Sequence, residues 1–313
     1  MHSNKYTFLL PAYKAAFFKE ALGSILGQTY RDFNVIVSDD CSPEELKSVV
    51  DSFGDSRVSY RRNERNIGAE RLVDHWNLLL GLTDAEYVIM ASDDDVYDPE
   101  YLEEMDRLVD KYPEINVFRP RLRLIDVDGK EFWREKPTFD NDIVSRKTLA
   151  SLIATEKFLS GIPQFIFKRD ALAALGGFIN FPYAWCSDDA TVAALSPGGL
   201  AISKKTLFSF RFSGVSISTR KIASKAEWSG KLYATAEYVK YAEECYNKPE
   251  DAELLSEMYH KAQKNTIAML NEASFDTFLK MMFFLKKLET PLFSFGWRAR
   301  RYLGRILHKL VKK

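Results

Sequence analysis

Residues 87–95 read Tyr-Val-Ile-Met-Ala-Ser-Asp-Asp-Asp, an apolar run that stops abruptly on three carboxylates. A short apolar run of this kind predicts a buried strand, and Ser92 to Asp95 predict the loop at its end. The arrangement recurs upstream. Residues 34–37 (NVIV) lead directly into Ser38-Asp39-Asp40-Cys41-Ser42, and residues 6–10 (YTFLL) are cut by Pro11. Between the runs lie segments with apolar residues at helical spacing: 17–28 with Phe18, Leu22, Ile25 and Leu26, 44–53 opened by Pro43, and 71–82 with Leu72, Trp76, Leu79 and Leu80. Residues 58–60 predict another short strand.

Strands alternating with helices through about residue 112 predict an α/β fold with a mostly parallel, Rossmann-like sheet and helices on both faces. Ligands of such sheets bind beyond the carboxyl ends of the strands, so both acidic clusters should face one crevice. From about 116 to 222 the pattern is less regular. Strand candidates stand at 116–119, 164–167 and 206–210, and helices at 146–154 and 190–195. Residues 223–313 read as a helical extension. The domains expected are therefore 1–222, with a first half to about 115 and a second from 116, and 223–313.

Apolar residues make up 46% of the 313, enough for a large core, and 44 basic residues balance 44 acidic ones. A nucleic-acid binder would need a basic surplus, so that class is set aside. Three cysteines without metal-ligand spacing suit a reducing compartment. The start of the chain lacks the pattern of a signal peptide, and no stretch reaches the roughly 20 apolar residues of a membrane span.

Three groups of residues carry chemistry. Adjacent Asp93, Asp94 and Asp95 repel one another unless a cation neutralises them, and hard oxygen ligands suit Mg²⁺ or Mn²⁺ shared with phosphates. The competing reading is that Asp95 and Asp98 cap the helix near Pro99. Asp40, after the second strand, can accept from a base N–H or a ribose hydroxyl, or can cap a helix together with Ser42. Cys186-Ser187-Asp188-Asp189 places a carboxylate at a helix start, either as a general base or as an N-cap. Trp185 and Tyr183 beside it suit stacking on a sugar face, and equally suit core packing. His75, flanked by Trp76 and Asn77, reads as a packing residue.

Taken in order, YTFLLPAY, GQTYRDFNVIVSDDCS, ERNIGAERL and MASDDD resemble glycosyltransferase family 2, with the GT-A fold, over about residues 5–220. The resemblance implies a transferase moving a sugar from a nucleotide diphosphate donor to an acceptor hydroxyl, with inversion at the anomeric carbon. It implies that Pro11, Ala12 and Tyr13 line the nucleotide, that Asp40 binds the base, typically uracil, and that Asn66 and Gly68 form the family's Asn-x-Gly turn. Asp94 then holds Mn²⁺ or Mg²⁺ beside Asp93, which approaches the ribose or donor sugar. Asp189 is the catalytic base, with Asp188 adjacent, and Gly161 helps to shape the sugar pocket. Many relatives carry a His in a segment resembling Tyr-Arg-x-His. Here that stretch is Phe210-Arg211-Phe212-Ser213, so the imidazole is missing, while Arg211 remains as an expected diphosphate contact.

Residues 293–313 pair an apolar face with Arg298, Arg301, Arg305, Lys309 and Lys312, the pattern of an interfacial helix attracted to anionic lipid. A cytoplasmic enzyme peripheral on the inner membrane face, acting on a saccharide or lipid-linked acceptor in surface polysaccharide synthesis, is the expectation. Two alternatives are a catalytically inactive nucleotide- or sugar-binding module at a membrane and a sugar nucleotidyltransferase. The latter favours a Gly-rich basic loop after the first strand, where this chain has Pro11-Ala12-Tyr13-Lys14.

Overall fold

The computed structural model describes residues 4–136, 142–155, 159–219, 222 and 224–272. The chain divides into two compact units, Met1–Lys221 and Ile222–Lys313. In the second unit, helices α8 (Lys225–Cys245) and α9 (Ala252–Glu272) pack on each other. Ser224 caps α8 by accepting from the Glu227 amide. The basic segment 293–313 lies outside the described residues.

In the first unit the strands are β1 (Tyr6–Ala12), β2 (Phe33–Asp39), β3 (Val58–Arg62), β4 (Tyr87–Met90), β5 (Val96–Tyr97), β6 (Val117–Ile125), β7 (Glu131–Arg134), β8 (Ile143–Val144), β9 (Ile166–Lys168) and β10 (Leu200–Arg211). The helices are α1 (Phe18–Leu26), α2 (Leu46–Phe53), α3 (Leu72–Leu80), α4 (Tyr101–Lys111), α5 (Arg146–Ala154), α6 (Arg169–Ala174) and α7 (Ser187–Leu195). One mixed sheet runs in the order β3-β2-β1-β4-β9-β6-β10-β5. β1, β2, β3 and β4 are mutually parallel where paired, as are β6 and β10, whereas β9 runs antiparallel to β4 and β6.

β1 and β4 read as continuous apolar runs because both faces of the sheet are covered. One layer packs Phe18, Leu22 and Ile25 of α1, with α2 and α4, on Phe8, Leu10 and Ile89. The other packs Val73, Trp76 and Leu79 of α3, with α5, α6 and α7, on Leu9, Val88 and Met90. Successive residues of β1 and β4 thus enter opposite cores.

From β1 the chain moves outward through β2 and β3, then returns to β4 on the other side of β1. The order reverses between β1 and β4, and that switch point is where such a sheet opens a crevice. Parallel register brings Ala12 level with Asp39, and Leu9 level with Met90. The ends of β1, β2 and β4 therefore deliver Tyr13, Asp40 and Asp93 to one edge.

Candidate active site

The acidic turn after β4 is bound to the loop after β1. The backbone amides of Tyr13 and Lys14 both donate to Asp93 Oδ2 at 2.9 Å, and Lys14 Nζ lies 3.7 Å from Asp93 Oδ1. Asp95 is fully buried, accepting from Ser92 Oγ and from the Arg211 amide. Asp94 is buried too, and Ser213 Oγ donates to its Oδ2 at 3.2 Å. The residue standing in place of the expected imidazole thus touches the carboxylate expected to hold the ion. Burial, followed by the neighbouring Asp93, pushes the Asp94 carboxyl up. Burial and Asp94 push Asp95 further up. The helix-capping alternative finds no support in these contacts. α4 begins at Tyr101, and the Asp98 carboxylate pairs with Arg123.

At the end of β2, Asp40 organises the loop after β3. Its Oδ1 accepts from Asn63 Nδ2 at 2.9 Å and from the Ile67 amide at 2.8 Å, and its Oδ2 accepts from the Gly68 amide at 3.0 Å. Asn66 Nδ2 donates to the Asp40 carbonyl at 2.8 Å. Gly68 has φ 83°, a left-handed conformation that suits glycine, so the Asn-x-Gly turn has a backbone reason. The structure therefore brings Asp40, Asn66 and Gly68 together. Asp39 is wholly buried and accepts from the Ser42 amide, Tyr60 Oη and Arg62, a structural role. Ser42 Oγ donates to the Tyr13 carbonyl and accepts from the Glu44 amide, pinning the loops after β1 and β2 together rather than capping a helix. His75 is buried against Ser38 Oγ at 2.8 Å, beneath Asn63, and burial lowers its pKa. This is the packing position its neighbours suggested.

Asp188 and Asp189 occupy the first turn of α7, where Asp188 Oδ1 accepts from the Asp189 amide at 2.9 Å. The preceding 3₁₀ turn, Pro182–Ala184, packs against α3 and against the short turn Ala69–Arg71 that follows Gly68. That contact places the start of α7 on the Asp40 side of the crevice. Trp185 is half-buried just beyond this turn, and Tyr183 is buried within it. Gly161 opens a 3₁₀ turn at the β4 edge, where a Cβ would meet the Phe210 ring at 3.6 Å.

Arg211, expected at the diphosphate, is engaged by protein groups in the structure. Its side chain is buried, and all three guanidinium nitrogens donate to protein oxygens, including Asp94 O and Glu20 Oε2. Glu20, Asn63 and Lys14 contact Arg211, Asp40 and Asp93 and were not singled out as site residues from the sequence. Asn63 stands three residues before Asn66 and Lys14 directly follows Tyr13, so proximity to the motifs was the available signal. Glu20 had none.

Among the described residues, no cluster of three or more His, Cys, Asp or Glu is arranged to hold a metal by itself. The acidic turn still fits a divalent ion of restricted kind. Asp94 is a buried carboxylate made unfavourable by its neighbour, and an ion drawing its other ligands from phosphate and water would relieve it.

The sequence comparison decides the family. The family model described as Glycosyl transferase family 2 matches residues 7–176, more than half of the chain. The protein belongs to glycosyl transferase family 2. Among curated family members, an uncharacterised glycosyltransferase of Haemophilus influenzae is 25% identical over 172 residues, covering 55% of each chain. A putative colanic acid biosynthesis glycosyl transferase of Escherichia coli, WcaA, is 34% identical over 84 residues, covering 26% of this chain and 29% of its own. The chain thus matches about half, or less, of the length of these relatives. Among solved structures, Staphylococcus aureus TarS 1-349 in complex with UDP-GlcNAc aligns with TM-score 0.73 at 15% identity, covering 91% of this chain and 80% of its own. The mannosyltransferase PcManGT of Pyrobaculum calidifontis, in complex with GDP-Man and Mn²⁺, aligns with TM-score 0.56 at 15% identity, covering 96% and 85%. These likenesses establish the GT-A fold.

Proposed function

We propose that this family 2 protein is an inverting glycosyltransferase that moves a sugar from a UDP-sugar to an acceptor hydroxyl. The observation that carries the reading is the switch point between β1 and β4, where Tyr13 and Lys14 hold Asp93 and leave Asp94 beside it. Asp40, with Asn66 and Gly68, shapes the base and ribose end. Pro11, Ala12 and Tyr13 line the nucleotide, and Gly161 and Trp185 flank the sugar.

Asp94 is the proposed ligand of Mn²⁺ or Mg²⁺. Such an ion, when bound, neutralises charge that develops on the leaving diphosphate. Asp93 is already held by two amides, and in this reading it orients the donor. Lys14 adds a positive charge on the same side. Asp189, at the start of α7, takes the proton of the acceptor hydroxyl as that oxygen attacks the anomeric carbon. With one base on the face opposite the leaving group, the displacement is direct and inverts the centre. Positioning and fixed charges supply most of the acceleration.

No described helix is long and apolar enough to cross a membrane. The basic, amphipathic character of residues 293–313 supports a peripheral place on an anionic membrane surface and a saccharide or lipid-linked acceptor. The colanic acid name of the Escherichia coli relative is consistent with surface polysaccharide synthesis as the setting.

Calorimetric titration of UDP, GDP and dTDP, each with and without Mn²⁺, tests the reading. Tight binding of UDP that depends on Mn²⁺ is expected. Binding of GDP alone would move the donor class, and binding of none by folded protein would favour an inactive module.

A further inference from the structure

We propose that Arg211 is a positioning residue of the acidic turn, with Glu20 as its partner, and makes no contact with the donor. The inference rests on reading that turn as the donor site. Arg211 closes β10, and its bonds reach three separate segments. Its amide donates to Asp95 Oδ1 at 2.8 Å, and its Nε donates to the Asp94 carbonyl at 2.9 Å. One terminal nitrogen donates to the carbonyls of Asp126 and Val127, in the turn between β6 and β7, at 3.2 and 3.3 Å. The other donates to Glu20 Oε2 on α1 at 2.6 Å. The guanidinium also lies over the Phe17 ring, 4.5 Å from its centroid.

The side chain is 1% exposed, so substrate reaches it only if this arrangement comes apart. Two consecutive residues of the turn are gripped, Asp94 through its carbonyl and Asp95 through its carboxylate. Fixing the peptide plane between them fixes the direction in which the Asp94 side chain leaves the backbone. A planar fork can satisfy these acceptors together, whereas a lysine ammonium on a flexible stem cannot. Glu20 is 53% exposed and, among the described residues, is the one charged partner of the buried guanidinium that lies at the surface. It can be altered without opening the core.

Glu20→Gln and Arg211→Lys are the test variants, each compared with wild type in two measurements. Amide hydrogen exchange should quicken at residues 92–98 and 126–130 in both variants, more so in Arg211→Lys, while β1 and β2 keep their protection. This readout needs no nucleotide, so it decides the clamp even if the donor reading fails. Calorimetry with UDP should show metal-free affinity unchanged and the gain from added Mn²⁺ reduced about tenfold, equivalent to about 1.4 kcal/mol. Unchanged exchange in both segments overturns the proposal. So does an equal fall of affinity with and without Mn²⁺, the signature of general loosening. Wild-type protein that binds no nucleotide, with exchange changed as expected, would refute the donor reading and leave the clamp standing.

Discussion

Asp40→Asn replaces one carboxylate oxygen by an amide nitrogen at the end of β2, and the local geometry fixes the consequence. Oδ1 accepts two donors, from Asn63 and Ile67, while Oδ2 accepts the Gly68 amide at 3.0 Å. An asparagine has one accepting oxygen. Placed at the Oδ1 position it keeps two bonds, now neutral, and turns its NH₂ against the Gly68 N–H. The opposite orientation keeps one bond and opposes two donors, so the first is adopted. One charge-assisted bond is lost, at about 1.5–3 kcal/mol. For a unit of this size that lowers the melting temperature by about 3–12 °C. Scanning calorimetry without nucleotide measures the shift, and exchange at the Gly68 amide localises it. UDP affinity should fall in the same variant, because in the function proposed above the loop and the base share this carboxylate. A melting temperature within about 1 °C of wild type, with Gly68 still protected, would refute the reasoning.

Asp94→Ala should abolish the part of UDP affinity that depends on Mn²⁺ and leave the metal-free part, and calorimetry showing the Mn²⁺ gain intact would remove Asp94 as ligand. Asp189→Asn should retain donor binding while transfer falls by about 100-fold or more, the scale for losing a general base; transfer at wild-type rate would send the search to Asp188. His75 is held below its ordinary value of 6.5 by burial, so the unfolded chain takes up the proton first. Its contribution to stability is complete above about pH 6.5 and is lost as pH falls. His75→Gln should flatten that acid slope in denaturant titrations, and parallel slopes would show that another group titrates.

The first half of the sheet was legible in the sequence because parallel strands buried on both faces leave uninterrupted apolar runs. β1, β2, β3 and β4 each contain or closely overlap the predicted segment, and their register sets the site. The second half was less legible for physical reasons. β6 reads VFRPRLRLI, and its Arg119 is wholly buried by pairing with Glu135, so charge hid a strand longer than the four residues expected. β7 has all four residues exposed and β5 has two residues, too little pattern in either for periodicity to register. The direction of β9, antiparallel within a largely parallel sheet, depends on pairing that no local pattern carries. At the candidate site, the sequence singled out the motif carboxylates but not their partners. That Asp93 and Asp95 already have donors, leaving Asp94 turned toward Ser213, is a property of three loops meeting in space.

Backbone strain gives an argument about the site that owes nothing to resemblance. Among the described residues, the non-glycine positions with φ in the left-handed region are Cys41, Tyr183, Ala184 and Cys186. Each lies outside the favoured regions for a residue with a Cβ, at a cost of order 1 kcal/mol or more, and persists only where surrounding bonds over-determine it. Those bonds are present. Around Cys41, the Asp40 amide donates to Ala12, the Ser42 amide to Asp39, and Arg62 to the Ser42 carbonyl. Around Cys186, the Phe181 amide donates to Ser187 Oγ and the Ala190 amide to the Cys186 carbonyl. Cys41 directly follows Asp40, and the other three immediately precede Asp188 and Asp189. Strain at the approaches of Asp40 and of Asp188 and Asp189 is what the roles proposed for these carboxylates call for, since groups held in place for chemistry are where such conformations persist.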